Sequence, residues 1–175
     1  MRQALGVVPQ TGGEHESMGT HNCLLKLGPS LYLEVIAANP MAPPPGRPRW
    51  FGLDGRQPAP RLATWVARTD DIRSAPAALG KAESMSRGAY QWKLTIPADG
   101  RMPFDGVAPA LIQWHSSHPA EKLEDRGCSL LKLELRHPRA AEIRNLFEAH
   151  PFNVEPGEAT LVAHVQTPAG TRKLR

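Results

Sequence analysis

Hydrophobic and polar residues alternate along much of the chain, which is the pattern of strands that bury one face. The predicted strands cover residues 20–27, 31–37, 63–68, 90–96, 108–114, 129–136 and 159–166. A turn at residues 28–30 joins the first two, and a turn at 167–170 leads into a final short strand. Residues 39–48 contain five prolines and one glycine, and we expect an extended loop there. Gly12 and Gly13 predict a flexible break before the first strand.

Two helices are predicted between the strands. Asp70 or Asp71 is placed to cap a helix that ends near Leu79. The second helix follows Pro138, and its apolar stripe consists of Ile143, Leu146 and Phe147. A strand, a helix and further strands therefore recur in this order. We predict an α+β fold of repeated modules rather than a doubly wound parallel sheet.

Residues 13–54 carry a specific resemblance to a known family. The first strand opens with Gly19-Thr20-His21-Asn22, and the second contains Leu33-Glu34-Val35-Ile36. After the proline-rich loop the chain reads Arg47-Pro48-Arg49-Trp50-Phe51-Gly52-Leu53-Asp54. This part resembles the glyoxalase-like domain family of the vicinal oxygen chelate superfamily, which also includes bleomycin resistance proteins and dioxygenases. The resemblance continues through Leu111-Ile112-Gln113-Trp114 and His118-Pro119.

The resemblance implies a particular architecture and division of the chain. Family members consist of βαβββ modules whose curved, antiparallel-rich sheets surround a cup. It places a first module at residues 1–54, a second at 55–127, and a β-α-β-β segment at 128–175 on the same domain. The sequence shows no counterpart of the family's first strand, which contains Asp and His, or of the following helix. We therefore expect a truncated first module with an open sheet edge, which favours a homodimer.

Composition and charge narrow the functional classes. The chain is 41% hydrophobic and 22% charged, which is typical of a soluble globular protein. No apolar run approaches the roughly 20 residues that span a bilayer, so we predict a cytoplasmic protein without a membrane partner. The net charge of +4 comes from scattered arginines with no interleaved aromatic residues, which does not favour nucleic-acid binding. Cys23 and Cys128 form no CxxC pair, and we expect both to be reduced.

Glu34 is the strongest candidate for chemistry. It is a single carboxylate within an apolar strand, and burying an unpaired charge is costly. Strand periodicity places it on the same face as Tyr32 and Ile36, and we expect that face to line a concave, substrate-binding pocket. The resemblance assigns a metal-binding glutamate to this strand, so Glu34 is both the implied metal ligand and the implied catalytic proton carrier. The alternative is a glutamate on a solvated edge, paired with an arginine.

His21 is a second candidate for lining the pocket. A hairpin register that places Glu34 opposite Leu25 puts His21 on the same face, roughly 13 Å away. One metal ion cannot bind both side chains at that distance. His21 is therefore predicted to contact substrate, or else to be a structural histidine.

Arg47, Arg49 and Trp50 form a third candidate group. Pro48 fixes an extended backbone, so the two arginines on either side of it are expected to point the same way, next to an apolar wall from Trp50. Two guanidinium groups suit a carboxylate or phosphate of a substrate. The alternative is that these arginines anchor the loop.

The second module provides weaker candidates. The resemblance makes Gln113 the counterpart of Glu34, and we predict that it lines the substrate pocket, although glutamine is a poor metal ligand. His115 and His118 have a spacing that could serve a metal, or they belong to a polar loop. Glu34 is thus the one assured ligand where a catalytic metal usually takes three. The resemblance implies a divalent metal cofactor, and this ligand count predicts that it binds weakly or not at all.

These observations favour one function over its alternatives. The sequence contains no GxSxG, P-loop, GxGxxG or HExxH motif, so serine hydrolase, kinase and zinc protease functions have no support. We predict a glyoxalase-like protein that binds a small anionic or carbonyl-bearing metabolite. The resemblance implies a divalent-metal-dependent lyase or isomerase. The alternative is a non-catalytic protein that binds or sequesters a small molecule, or a truncated, metal-free family member.

Overall fold

The computed structural model describes residues 2–55, 59–148 and 152–175. The helices among them are α1 (Arg2–Leu5) and α2 (Ala140–Leu146). The strands are β1 (Gln10–His15), β2 (Thr20–Gly28), β3 (Leu31–Ala38), β4 (Val66–Arg68), β5 (Lys81–Arg87), β6 (Tyr90–Ile96), β7 (Ala110–Trp114), β8 (Ser129–Arg136), β9 (Thr160–Thr167) and β10 (Gly170–Leu174). A fold rich in strands with few helices confirms the α+β class.

The strands form three mostly antiparallel sheets. The first sheet has the order β1-β2-β3, and the third has the order β10-β9-β8. The second has the order β4-β7-β6-β5, and β4 is its one strand that pairs in parallel, with β7. The C-terminal segment has the predicted order of strand, helix, strand and strand.

Three apolar clusters hold the sheets together. Leu25 and Leu27 of the first sheet pack against Ala163 and Val165 of the third, over Leu5 of α1. The second cluster joins the second and third sheets to α2 through residues such as Ile143. The third lies on the other face of the second sheet and contains Met18, Trp50, Trp92, Leu94, Ile96 and Ala110. This last cluster extends to Ile36 of β3, so it adjoins the face that carries Glu34.

The helix predicted after Asp71 is not formed. The structure instead has two short 3-10 turns, Ile72–Ser74 and Ala77–Leu79. Asp71 does cap the first turn, because its side chain accepts a hydrogen bond from the Arg73 amide. Pro76 separates the two turns, and a proline both lacks an amide hydrogen and forces the residue before it into an extended conformation. The second sheet therefore lacks the helix of a βαβββ module.

Two strands were not predicted from the sequence. β5 contains mostly polar residues and has a weak strand pattern, but it pairs with β6 along its whole length. β1 includes Gly12 and Gly13, where we expected a break, and the two glycines lie at a bulge between Thr11 and Glu14. Both strands matter for function, because each contributes to the site described below.

The first sheet ends at β3, which pairs only with β2 among the described residues. Leu31 and Val35 on β3 are each 39% exposed. Homodimer formation at this edge stays a prediction, as does the division of the chain into modules. No helix in the described ranges has the length and hydrophobicity needed to cross a membrane.

Candidate functional site

A bulge in the β2–β3 hairpin decides which side chains share a face with Glu34. The register shifts by one residue between Lys26 and Gly28, so Glu34 lies opposite Leu24 and His21 lies opposite Ala37. A shift of one residue moves every side chain of a strand to the other face. Tyr32, Glu34 and Ile36 share one face as predicted. His21 is exposed on the opposite face, so the predicted shared face with Glu34 is wrong, while its role as a substrate contact stays a prediction.

Glu34 is held by a side chain of the neighbouring strand. The Nδ2 atom of Asn22 donates a hydrogen bond to Oε1 of Glu34 at 2.5 Å. Asn22 is only 7% exposed, whereas Glu34 keeps partial contact with solvent. Burial raises the pKa of the Glu34 carboxyl above its usual range, against smaller lowering effects of the Asn22 hydrogen bond and the charge of Arg87. Glu34 therefore stays protonated to a higher pH than an ordinary glutamate does.

Asn22 connects Glu34 to Arg87 on the second sheet. Its Oδ1 atom accepts hydrogen bonds from the Gly13 amide at 2.8 Å and from Nη1 of Arg87 at 2.9 Å. Because two donors point at Oδ1, the amide orientation is fixed and Nδ2 must face Glu34. Arg87, Asn22 and Glu34 thus form a continuous hydrogen-bonded line between two sheets.

The bulge at Gly12 makes room for this line. A Cβ atom at Gly12 would lie 1.9 Å from Oδ1 of Asn22, and one at Gly13 would lie 3.0 Å from Cδ of Arg87. Glycine within a strand often marks a place where another group approaches the backbone closely. Gly12 is therefore required for Asn22 to reach both of its partners.

We expect Gly12→Ala to displace Asn22 and to destabilise the fold by about 1–3 kcal/mol, as overpacking usually does. Chemical denaturation measures the loss. Gly28→Ala is the matched control in the same sheet, because its Cβ would meet Leu31 at an ordinary 3.6 Å. Equal stability of the two variants would contradict the close approach of Asn22 to Gly12.

His15 is a buried residue that contacts Arg87 at one end of this hydrogen-bonded line. It is 5% exposed, and its ring lies edge-on to Trp50 with centroids 5.0 Å apart. Nη1 of Arg87 lies 3.3 Å from Nε2, so Nε2 accepts and Nδ1 carries the hydrogen donated to Oγ1 of Thr20 at 3.0 Å. Burial, together with the charge of Arg87, lowers the pKa of His15 to about 4. His15 is neutral at neutral pH and acts as a positioning group for Arg87.

Aromatic side chains continue the contacts from Arg87 back to Glu34. The guanidinium carbon of Arg87 lies 5.7 Å from the ring centroid of Tyr90. Centroid distances of 6.2 Å, 5.6 Å and 5.4 Å then connect Tyr90 to Trp114, Trp114 to His118, and His118 to Tyr32. Tyr32 lies two residues from Glu34 on the same face of β3. We call this series the Glu34 circuit; its members are Glu34, Asn22, Arg87, Tyr90, Trp114, His118 and Tyr32. All of them except Asn22 keep partial exposure, so a ligand can reach them.

Gln113 does not line the site. Its side chain accepts a hydrogen bond from the Ile72 amide at 3.2 Å and donates one to the Asp70 carbonyl at 2.7 Å. It thereby fixes the 3-10 turn on the other face of the second sheet. Trp114, the next residue along β7, is the one that reaches the Glu34 circuit.

Arg47 and Arg49 do not converge on a common ligand. Arg47 binds both carboxylate oxygens of Glu83 at 2.5 and 2.8 Å, and Nη1 of Arg49 lies 2.6 Å from Oδ1 of Asp54. Trp50 is only 3% exposed, so it belongs to the core rather than to an open wall. These contacts favour the loop-anchor alternative for both arginines, and substrate contacts by Arg47, Arg49 and Trp50 stay predictions.

We expect Arg47→Ala to lower the stability without changing ligand binding. The Arg47 and Glu83 side chains are 34% and 31% exposed, so solvent screening limits their pair to about 1 kcal/mol or less, or roughly 2–4 °C in melting temperature. Arg47 lowers the pKa of Glu83. The stabilisation is therefore present above the unfolded carboxyl pKa and is lost as the pH falls through the folded one. Thermal melts at neutral and acidic pH check this. A loss of ligand binding with an unchanged melting temperature would instead support Arg47 as a contact of an anionic substrate.

The surroundings of Glu34 do not fit a three-ligand metal centre. No group of three or more His, Cys, Asp and Glu side chains in the described part of the chain is arranged to hold a metal ion. Both ring nitrogens of His15 already have partners, and the cationic Arg87 next to them disfavours a second cation. His118 uses Nδ1 to accept from the Ala120 amide, and His115 lies exposed in the following loop.

Two depressions lie elsewhere on the surface. One is a small, mostly apolar cavity beside Trp50 and Met102, and the other is an open groove beside Gln91 and His115. Neither contains Glu34. The Glu34 circuit is the candidate functional site because it combines a titratable carboxyl, an arginine and partly exposed aromatic rings.

Comparison with known proteins supports the family suggested by residues 13–54. The family model described as a glyoxalase-like domain matches residues 1–150. The chain belongs to this family. The match points to a small-molecule-binding function, and glyoxalase-like proteins often bind a divalent metal.

One solved structure supports the fold of this glyoxalase-like protein independently. The crystal structure of a hypothetical protein from Staphylococcus aureus is 13% identical in sequence, with a TM-score of 0.55. The similarity covers 95% of this chain and 75% of the other. At that identity it supports the fold alone. A search of curated proteins found no match.

Proposed function

We propose that this glyoxalase-like protein binds a small anionic or carbonyl-bearing metabolite at the Glu34 circuit, with Glu34 as the group that moves a proton. The observation that carries the proposal is a partly exposed carboxyl with a raised pKa, held in place by Asn22 and surrounded by aromatic side chains. Carboxyl groups whose pKa is shifted by burial beside a specific hydrogen-bond partner cluster at functional sites. We also assign the chain to the vicinal oxygen chelate superfamily.

The proposed chemistry is a proton transfer next to a carbonyl group, as in an isomerase or lyase. The ionised Glu34 carboxylate takes a proton from the carbon adjacent to the carbonyl. The electron pair of that C–H bond forms a carbon–carbon double bond, and the π pair of the carbonyl moves onto its oxygen to give an enolate. Burial and the nearby Glu34 charge raise the pKa of Tyr32, so its hydroxyl stays protonated and can donate a hydrogen bond to the oxyanion. Return of the proton to the same or a neighbouring carbon completes the cycle.

A second candidate function is binding without catalysis. It is favoured by the donor set, because the described residues around Glu34 do not supply the three ligands of a catalytic metal centre. In that case Glu34 and Tyr32 would serve as hydrogen-bonding partners of a sequestered ligand.

The proposal can be tested by titrating the protein with benzoate, pyruvate and inorganic phosphate while following tryptophan fluorescence and backbone NMR signals. Trp92 and Trp114 lie on the face of the second sheet that carries the circuit, with ring centroids 5.4 Å apart. We expect saturable binding of at least one compound, with the largest NMR shifts at residues of the Glu34 circuit. Saturable binding with shifts confined to another part of the molecule would contradict the proposal, and so would no binding of any of the three.

A further inference from the structure

Arg87 differs from the arginines that form ion pairs in this protein. Seven arginines in the described residues pair with a carboxylate: Arg47, Arg49, Arg68, Arg73, Arg126, Arg136 and Arg139. Arg87 is half-buried, and its hydrogen bonds go to an amide oxygen of Asn22 and to the neutral ring of His15. A guanidinium group that is partly removed from water and bonded to neutral acceptors has capacity for an anion.

Glu34 does not supply that anion. Asn22 lies between the two side chains, and no Arg87–Glu34 ion pair within 4.0 Å occurs in the described structure. The line of hydrogen bonds holds Arg87 in place and keeps it apart from the carboxyl. This separation leaves the two groups free for different parts of one ligand.

The surroundings of Arg87 add positive charge and a flat apolar surface. Nζ of Lys122 lies 5.7 Å from the ring centroid of Tyr90, the same ring that Arg87 approaches. Lys26 lies opposite Tyr32 on the face that carries Glu34. Tyr90 and Trp114 offer partly exposed rings beside these cations, and planar groups stack on such rings favourably.

We infer that Arg87 is a specificity-determining residue that recognises the carboxylate of a planar organic acid, whose apolar part contacts Tyr90 and Trp114. The inference rests on the proposed function and names the class of its ligand. The two-pronged geometry of guanidinium matches a carboxylate, and the neutral His15 and Asn22 hold it in position without competing for its charge. The ligand's remaining atoms would then lie towards Tyr32 and Glu34.

The test compares benzoate with benzamide, which has nearly the same shape and no charge. Affinities of both compounds are measured by NMR titration for the wild type, Arg87→Ala, Arg87→Lys and the control Arg172→Ala. Arg172 lies exposed on β10 of the third sheet. We expect Arg87→Ala to weaken benzoate binding by about 10-fold or more, or about 1.4 kcal/mol, while benzamide affinity changes less than about 3-fold. Arg87→Lys should cause a smaller loss because it keeps the charge but not the planar fork.

The possible outcomes distinguish a failure of the Arg87 inference from a failure of the proposed function. Benzoate binding that is selectively weakened at Arg87 and unchanged in the control supports the inference. If wild-type protein binds benzoate at the circuit but Arg87→Ala affects neither compound, or both equally, the inference is wrong while the proposed function stands. If the wild type binds neither compound nor pyruvate nor phosphate, both fail. Should Arg87→Ala not fold, a loss of benzoate affinity in Arg87→Lys that exceeds its change in benzamide affinity supports the inference, and equal changes for the two compounds contradict it.

Discussion

Glu34→Gln is expected to slow proton transfer by 100-fold or more, the usual loss when a general base is removed. The measurement is the exchange of pyruvate methyl hydrogens for solvent deuterium, followed by proton NMR. Glutamine keeps an oxygen that can accept the hydrogen bond from Asn22, but it cannot take up a proton from carbon. In the wild type the exchange rate should rise with pH through the raised pKa of Glu34, above the ordinary range near 4.3.

Two controls separate this result from loss of the fold. Glu14→Gln is the same substitution in the same sheet, at an exposed position opposite His21, and should leave exchange unchanged. The raised pKa of Glu34 means that its contribution to stability is lost as the pH rises through the folded pKa. Removing the carboxylate should therefore leave the variant at least as stable at neutral pH. Exchange that survives in a folded Glu34→Gln protein contradicts the catalytic role, and wild-type binding without exchange favours the non-catalytic candidate.

His15 is expected to make the protein sensitive to acid. Its pKa is lowered from 6.5 to about 4, so the unfolded chain takes up a proton first as the pH falls. Stability is then lost between about pH 6.5 and pH 4, by at most about 3.5 kcal/mol at about 1.4 kcal/mol for each pKa unit. Urea unfolding at a series of pH values measures this loss.

A variant without the imidazole isolates that contribution from other titrating groups. His15→Gln should start less stable at neutral pH and should lose less stability on acidification than the wild type. His21→Gln removes an exposed histidine on the other face of the hairpin and is the control for replacing a histidine by glutamine in this sheet. If the free energy of unfolding falls equally with pH for the wild type and His15→Gln, burial does not lower the pKa of His15.

Sequence patterns predicted the fold best where one face of a strand is buried. The alternation of Trp92, Leu94 and Ile96, which are all buried, predicted β6. In β8 Leu133 and Leu135 pack inward, whereas Leu131 is 56% exposed because a bulge shifts the register between Leu130 and Lys132. The helix after Asp71 was wrong because it was predicted from the aspartate cap, whereas Pro76 decides the backbone. β5 was missed because its residues are mostly polar, and only pairing with β6 makes it a strand.

The site was predicted in part because a carboxylate in an apolar strand is visible in the sequence. Glu34 and Tyr32 were found in this way. A single bulge then reversed the inferred face of β2, so His21 was chosen and Asn22 was overlooked. Arg87 lies 65 residues from Asn22 in a strand that was not predicted. The one local signal was the Gly12-Gly13 pair, which marks a close approach to the backbone rather than a flexible break.

The most direct test of the central claim is the titration of the Glu34 carboxyl carbon by NMR, in the presence and absence of pyruvate. The signal is assigned by its absence in Glu34→Gln. We predict a midpoint above the ordinary glutamate value near 4.3, and a further rise when pyruvate binds, because a nearby anion disfavours the ionised carboxylate. A midpoint in the ordinary glutamate range that does not move with pyruvate would contradict the proposed role of Glu34 in proton transfer.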